Sequence, residues 1–301
     1  MNKPNTLFYK GIDGFTSEHH YEILQKAADS SYRWWFEYLR LSKDYWWLCK
    51  QKGKTLDPEF NKVWLAFGDV FEVDFAQWFI KRGYAIFQQS VAPPKIEVVD
   101  DGKGMRVPVS STKNRILLAV PTDISEKTLK KQFMDIIRAI ENREVRKGKA
   151  DFSLLKVKGV RKQVLEKAHG VWLERFKQSY MLDHQIEGSQ KLDMYAIGEK
   201  LSVSPAHNRR AGEHEKDRVL KERVMRVAVN RMYHRAEALI ANAELGKFPS
   251  YDKVTVKKKR WTKEQQAQLD KAIESGKWMP PPKSEINWRQ LSQRYFRQKI
   301  W

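Results

Sequence analysis

The sequence predicts a mainly α, multi-domain protein, and three observations carry that reading. Large aromatic residues recur at helical spacing through the first region, with six of the eleven tryptophans between Trp34 and Trp78. The stretch from Gly212 to Gly246 keeps an apolar side and a charged side at helical period, and Gly246 followed by Pro249 stops it. Strand signals are confined to YAIFQQSV and RILLAV. With 301 residues and 41% hydrophobic content the chain is long enough for two or three compact units with real cores.

The first region, residues 1–92, is rich in tryptophan and reads as helical. Trp35, Tyr38, Leu39 and Trp46 mark one helical face, and Trp64, Phe67, Phe71, Phe75, Trp78 and Phe79 mark a second that Gly83 ends. Both stripes predict a buried core. The alternative is a platform of Trp34, Trp35, Trp46 and Trp47 that stacks single-stranded bases, with Arg33, Arg40 and Lys43 beside it for phosphates. Adjacent residues cannot share one helix face. One tryptophan of each pair is therefore expected to turn outward, giving a surface for a protein partner.

Residues 93–141 read as a small α/β module, opened by the strand YAIFQQSV just before it and continued by RILLAV. A helix with capping-box spacing starts between Asp123 and Glu126, its apolar face formed by Leu129, Phe133, Ile136, Ile137 and Ile140. Restriction-type nucleases share a helix-then-sheet order, but they gather carboxylates and a lysine around Mg²⁺, normally with an E-x-K on a strand. RILLAV carries neither, which leaves Glu72, Asp69 and Asp123 unconnected. His19 and His20 beside Glu22, and His207 with His214, lack metal-ligand spacing. With no phosphate loop, dinucleotide fingerprint or nucleophile elbow, the chain reads as no enzyme, without cofactor or metal.

Charge narrows the partners. Lys and Arg number 57 against 37 Asp and Glu, a net charge of +20. Residues 1–150 hold 25 basic and 19 acidic side chains, whereas residues 151–301 hold 32 and 18. The excess is concentrated in the second half, which favours a polyanion there. Cys49 alone excludes a disulfide within the chain and fits a reducing compartment. The start lacks the apolar run of a signal peptide, and no stretch approaches a membrane span, so a cytoplasmic, nucleoid-associated protein is expected.

After a charged linker at residues 142–150, the basic domain of residues 151–252 opens with a supporting helix whose inward residues are Val164, Leu165, Ala168, Trp172, Leu173 and Phe176. Asp193 to Gly212 then has the spacing of a helix-turn-helix. Ile197 and Gly198 supply the apolar and tiny residues that let a second helix approach, and Leu201 and Val203 bracket the turn. Ser204 is a favoured N-cap and Pro205 suits the first helical position, so the reading helix is expected to start at Ser204. His207, Asn208, Arg209 and Arg210 would face bases and phosphates. Two positions depart from the pattern: Ser202 stands where the turn usually has Gly, and Asn208 stands at an inward apolar position.

The long helix that follows is expected to bury Leu220, Val224, Val227, Ala228, Met232, Ala236, Leu239 and Ile240. Its other sides carry Arg218, Lys221, Arg223, Arg226, Arg231 and Arg235, while a length of this order also leaves self-association as a homodimer open. A basic linker, residues 253–260, presents Lys258, Lys259 and Arg260 as phosphate contacts. Residues 261–301 resemble the Myb/SANT module over about forty residues, with Trp261, Leu269, Ile273, Trp288 and Leu291 as core positions; GKWMPPPKSE lengthens the spacing, and the third helix is short.

The chain as a whole resembles helix-turn-helix DNA-binding proteins of bacterial mobile elements and phages. That resemblance implies a sequence-specific reader of double-stranded DNA, a transcriptional regulator or a replication or recombination accessory. It carries over Ser204, His207, Asn208, Arg209 and Arg210 as contacts, and Ile197, Gly198, Leu201 and Val203 as scaffold. A structural or adaptor subunit of a larger nucleoprotein or phage-related assembly is the alternative, and a divergent Mg²⁺-dependent nuclease the third reading.

Overall fold

The computed structural model describes residues 20–88, 123–139, 150–155, 161–186, 193–254 and 261–278. They are mainly helical, and no strand occurs among them. They belong to two units, one from residues 1–89 together with 150–301, the other from residues 90–149.

In the larger unit α1 (His20–Ala28), α2 (Ser31–Leu41), α3 (Lys43–Lys50) and α4 (Pro58–Phe67) come first. Ser30, Ser42 and Asp57 cap α2, α3 and α4 with their side-chain oxygens, the usual answer to the unpaired N–H groups of a first turn. A continuous helical run follows: α5 (Phe75–Trp78), a π turn (Phe79–Gly83) and α6 (Tyr84–Phe87). YAIF is thus helical and not the start of a strand. Gly83 does not end the helix; it keeps helical angles, and a Cβ there would stand 2.7 Å from the Phe79 ring and 2.8 Å from the Trp78 ring. Room for those rings is the reason for glycine.

The second half supplies α8 (Lys162–Asp183), α9 (Met194–Lys200), α10 (Glu215–Glu244) and α11 (Lys263–Glu274), after α7 (Glu126–Ala139) of the smaller unit. Leu165, Ala168 and Trp172 of α8 are buried as the pattern predicts. The long helix ends at Glu244 with Leu245 as its C-cap, and Gly246 follows at φ +73°.

Trp35 lies at the centre, 0% exposed, with the rings of Phe67, Phe87, Phe152 and Phe248 at 5.2 to 5.7 Å. Polar tips inside this aromatic mass find carbonyls. Trp35 Nε1 donates to Ala243 O at 3.3 Å, Tyr38 Oη to Leu165 O at 2.8 Å, Tyr45 Oη to Gly68 O at 2.8 Å and Trp78 Nε1 to Phe67 O at 2.7 Å. Unpaired, such groups would each cost about 1–3 kcal/mol.

These contacts cross the expected boundaries. Leu24, Trp35, Phe87, Leu165, Leu239, Phe248, Leu269 and Trp278 belong to one core that draws on the aromatic region, the basic domain and the described part of residues 261–301, while Val171, Tyr195, Ile197, Met225 and Val229 form a second, smaller core where α8, α9 and α10 meet. The tryptophan pairs explain why. Trp35 and Trp46 face inward, and the second member of each pair is covered by a distant part of the chain. Trp34 packs 5.4 Å from the His169 ring of α8, and Trp47 is 6.1 Å from Trp261. Trp34, Trp35 and Trp46 are buried and Trp47 half-buried, so neither the expected partner surface nor a base-stacking platform is present. Helices apolar on two sides cannot be covered by one neighbour.

In the smaller unit α7 begins where the sequence places it, with Ser125 Oγ accepting from Thr128 N at 3.3 Å. Leu129 and Phe133 are half-buried, and Met134 and Ile136 are exposed. RILLAV lies outside the described residues, as do the linker 142–149, Lys258, Lys259, Arg260, Trp288 and Leu291. No helix among the described residues is long and apolar enough to cross a membrane.

Candidate functional site

Asp193 caps α9, its Oδ1 accepting from Tyr195 N at 2.8 Å. Leu201 ends the helix, and Ser202 takes the left-handed conformation, φ +48°, at the position that helix-turn-helix pairs usually give to glycine. The turn is therefore made, but no α-helix starts at Ser204. Pro205–His207 form a single 3₁₀ turn, and Asn208 is extended at φ −69° and ψ 144°.

Two interactions account for the difference. Ser204 Oγ bonds the His207 ring at 2.8 Å in place of a backbone N–H, so the first turn has no cap. Beyond it Tyr195 Oη accepts the Arg209 N–H at 2.7 Å, and the Arg209 guanidinium lies 4.3 Å over the Tyr195 ring while paired with Glu222. The segment is thereby held against α9 and α10. Ser204, His207, Asn208, Arg209 and Arg210 do not share a helix face; Arg209 is engaged within the protein, and Arg210 is exposed.

Gly198 nevertheless serves the close approach that its position implies. A Cβ there would stand 2.5 Å from Met225 and 2.8 Å from Val229, both buried residues of α10. The helix that packs on α9 is thus α10. This also resets the register of α10: Met225 and Val229 point inward, whereas Leu220 and Val227, expected inside, are 60% and 45% exposed. The periodicity of α10 was visible in the sequence; its partner, which selects the buried side, was not.

At about 100° per residue, the side of α10 opposite Met225, Val229, Ala236 and Leu239 carries Lys216, Val219, Leu220, Arg223, Val227, Asn230, Arg231 and His234, all exposed. From Lys216 to His234 this face runs roughly 27 Å at 1.5 Å per residue. Arg218 pairs with Glu215 and Arg226 with Glu222 at the surface, where such pairs contribute little. Arg223 and Arg231 form no ion pair among the described residues.

Of the carboxylates considered for nuclease chemistry, Asp69 and Glu72 belong to the larger unit and Asp123 to the smaller one. Asp69 Oδ1 accepts from Phe71 N at 2.9 Å within a turn, Glu72 is exposed, and Asp123 is exposed in the smaller unit. His169, not singled out from sequence, is a core residue between Trp34 and Tyr38 whose pKa burial lowers to about 3, helped by the charges of Arg40 and Arg33.

A second locus was invisible in the sequence. A cleft of about 560 Å³ opens between α8, α10, α11 and the corner from α2 to α3. Trp172, Phe176, Tyr180 and Trp261 line it, together with Asp44, Glu237 and Glu244. Glu244 accepts from Ser42 Oγ, Glu237 from Trp172 Nε1 at 2.6 Å, and Asp44 from Trp261 Nε1 at 3.0 Å. Burial pushes the Glu244 carboxyl up to about 8; the Ser42 hydroxyl opposes this, and the charges of Asp44 and Glu237 add to it.

No protein-family model, no curated protein and no solved structure matches this chain.

Proposed function

We propose that this protein binds double-stranded DNA, and that the outward face of α10 carries the contact in place of a helix starting at Ser204. The observation behind this is the exposed row of Lys216, Arg223, Asn230 and Arg231 on one side of a helix whose other side is packed on α9 through Gly198, in a chain of net charge +20. A helix with one side packed and about 27 Å of basic face free has the dimensions to lie along a major groove. Arg and Asn are side chains suited to guanine and adenine edges, and the excess cations supply the phosphate attraction. Arg210, exposed in the segment before α10, is a further candidate for a phosphate contact.

The adaptor reading has one observation in its favour: Val219, Leu220 and Val227 are exposed on the same face, as they would be if another protein packed there. Selection of bound duplexes from a random pool at physiological salt separates the two. Recovery of one motif supports DNA reading. Weak binding that is uniform across sequences and vanishes with salt contradicts it and favours the adaptor.

A further inference from the structure

The cleft between α8, α10 and α11 is unusual for a protein so rich in cations. Its carboxylates Asp44, Glu237 and Glu244 each accept a hydrogen bond from a neutral donor, and none of them forms an ion pair among the described residues. Lys43, Arg175 and His184 also line the cleft, but none of them pairs with these carboxylates. Arg175 lies 3.6 Å over the Tyr233 ring and donates to Asn230 at 3.2 Å, His184 stacks on Tyr180 at 4.0 Å with Asp270 3.7 Å away, and Lys43 is exposed. Asp44 and Glu244 are half-buried and Glu237 is exposed at the rim, so a cation entering the cleft would meet carboxylates with no ion-pair partner among the described residues.

The walls match the carboxylates. Trp172, Phe176, Tyr180 and Trp261 line the space, and aromatic rings attract cations through their negative faces. Arg175 on Tyr233 is an internal instance of that contact, made by the protein's own guanidinium. A volume of about 560 Å³ lies within the range of small-molecule sites, roughly 300–1,000 Å³. The Tyr180 hydroxyl, buried and without a hydrogen-bond partner, adds a polar atom that a ligand would satisfy.

We propose that this cleft is a binding site for a small organic cation, an ammonium or guanidinium group on a short aliphatic stem, with Asp44, Glu237 and Glu244 facing the charge and Trp172, Phe176 and Trp261 enclosing the stem. The Arg175–Asn230 hydrogen bond joins the cleft to the α10 face, but the assignment of the cleft does not rest on DNA binding. An occupant of this kind supplies the counter-charge that the described residues lack.

The test is calorimetric titration of the full chain with agmatine and with 1,5-diaminopentane, using 1-pentanol as the neutral analogue. Saturable binding of either cation with a Kd below about 1 mM, and at least about tenfold tighter than 1-pentanol, is expected. Glu237→Gln and Glu244→Gln keep an acceptor for Trp172 and Ser42, so both variants keep the local hydrogen bonds. At pH 9, where the Glu244 carboxyl is ionised and both probes are still cations, each is expected to weaken the cations about tenfold and to leave 1-pentanol unchanged. Asp44→Asn repeats the test from another element if either variant fails to fold. Failure of both cations to bind, or affinity unchanged in all three variants, overturns the proposal.

Discussion

The aromatic body around Trp35 and the first half of α10 are both helical, yet they treat their side chains in opposite ways. Around Trp35 most of the described rings are absorbed by the chain itself, among them Trp34, Trp35 and Trp46, with Trp47 half-buried against Trp261. On α10, from Lys216 to His234, only one narrow side is packed, and the opposite side keeps arginines, an asparagine and three aliphatic residues exposed. Size and adjacency of apolar groups decide the first region, so its residues are explained by folding alone. Folding does not require the exposed cations of the second, which is why function is sought there.

The comparison breaks most visibly at its centre. Replacing Trp35 by Ala empties a site bounded by four phenylalanine rings and removes one of the donors to the Ala243 carbonyl, which keeps the Gly246 N–H, so a loss of about 3–5 kcal/mol is expected. Urea unfolding measures it. A loss well under 1 kcal/mol would mean that the body is not one core.

Two buried titrating groups sharpen the contrast through pH. The pKa of Glu244 is raised from 4.5 to about 8, so the folded state holds its proton more tightly; stability from this group is lost as pH rises from about 4.5 to 8. Glu244→Gln is therefore expected to stabilise the protein at pH 7, on the order of 2–3 kcal/mol, and to flatten that slope. His169 acts with the opposite sign. Its pKa is lowered from 6.5 to about 3, so its contribution is present above 6.5 and is lost as pH falls toward 3. His169→Gln is expected to flatten the acid side, and thermal melts of both variants from pH 4 to 9 would check the two slopes. Parallel curves for parent and variants would contradict the burial assigned to these groups.

A smaller effect is expected where the two regions join. Gly198→Val forces a side chain into Met225 and Val229, which outweighs the better helix propensity of valine and costs about 1–3 kcal/mol. Met225→Ala should restore part of it, because the space that it vacates is the space required. Additive losses in the double variant would show that Gly198 does not face α10.

Much of this was legible in the sequence, and the losses have physical causes. The aromatic stripes, the span of α10, its stop before Gly246 and the start of α7 follow from local spacing and capping, which the chain carries within a few residues. The choice of buried side in α10 was lost because Val224 and Ala228 fit the helical period as well as Met225 and Val229, and only contact with Gly198 decides between them. The helix expected at Ser204 was lost because Tyr195, fourteen residues before Arg209, claims the Arg209 N–H. YAIF was read as a strand since β-propensity cannot register that Gly83 makes room for Trp78 and Phe79. The cleft drew on four separate elements, and no spacing rule joins Asp44 to Glu237, Glu244 and Trp261.

The most direct measurement is the affinity of two double variants for duplex DNA, read by fluorescence anisotropy over a range of salt. Arg223→Ala with Arg231→Ala removes two exposed cations from α10, whereas His207→Ala with Asn208→Ala removes the side chains of the 3₁₀ segment. The first pair is expected to weaken binding at least about tenfold and to lower the salt slope by nearly two, while the second pair stays within about twofold of the parent. Loss of binding in the second pair alone, with Arg223 and Arg231 dispensable, would return the contact to the segment after Ser204 and contradict the assignment to α10.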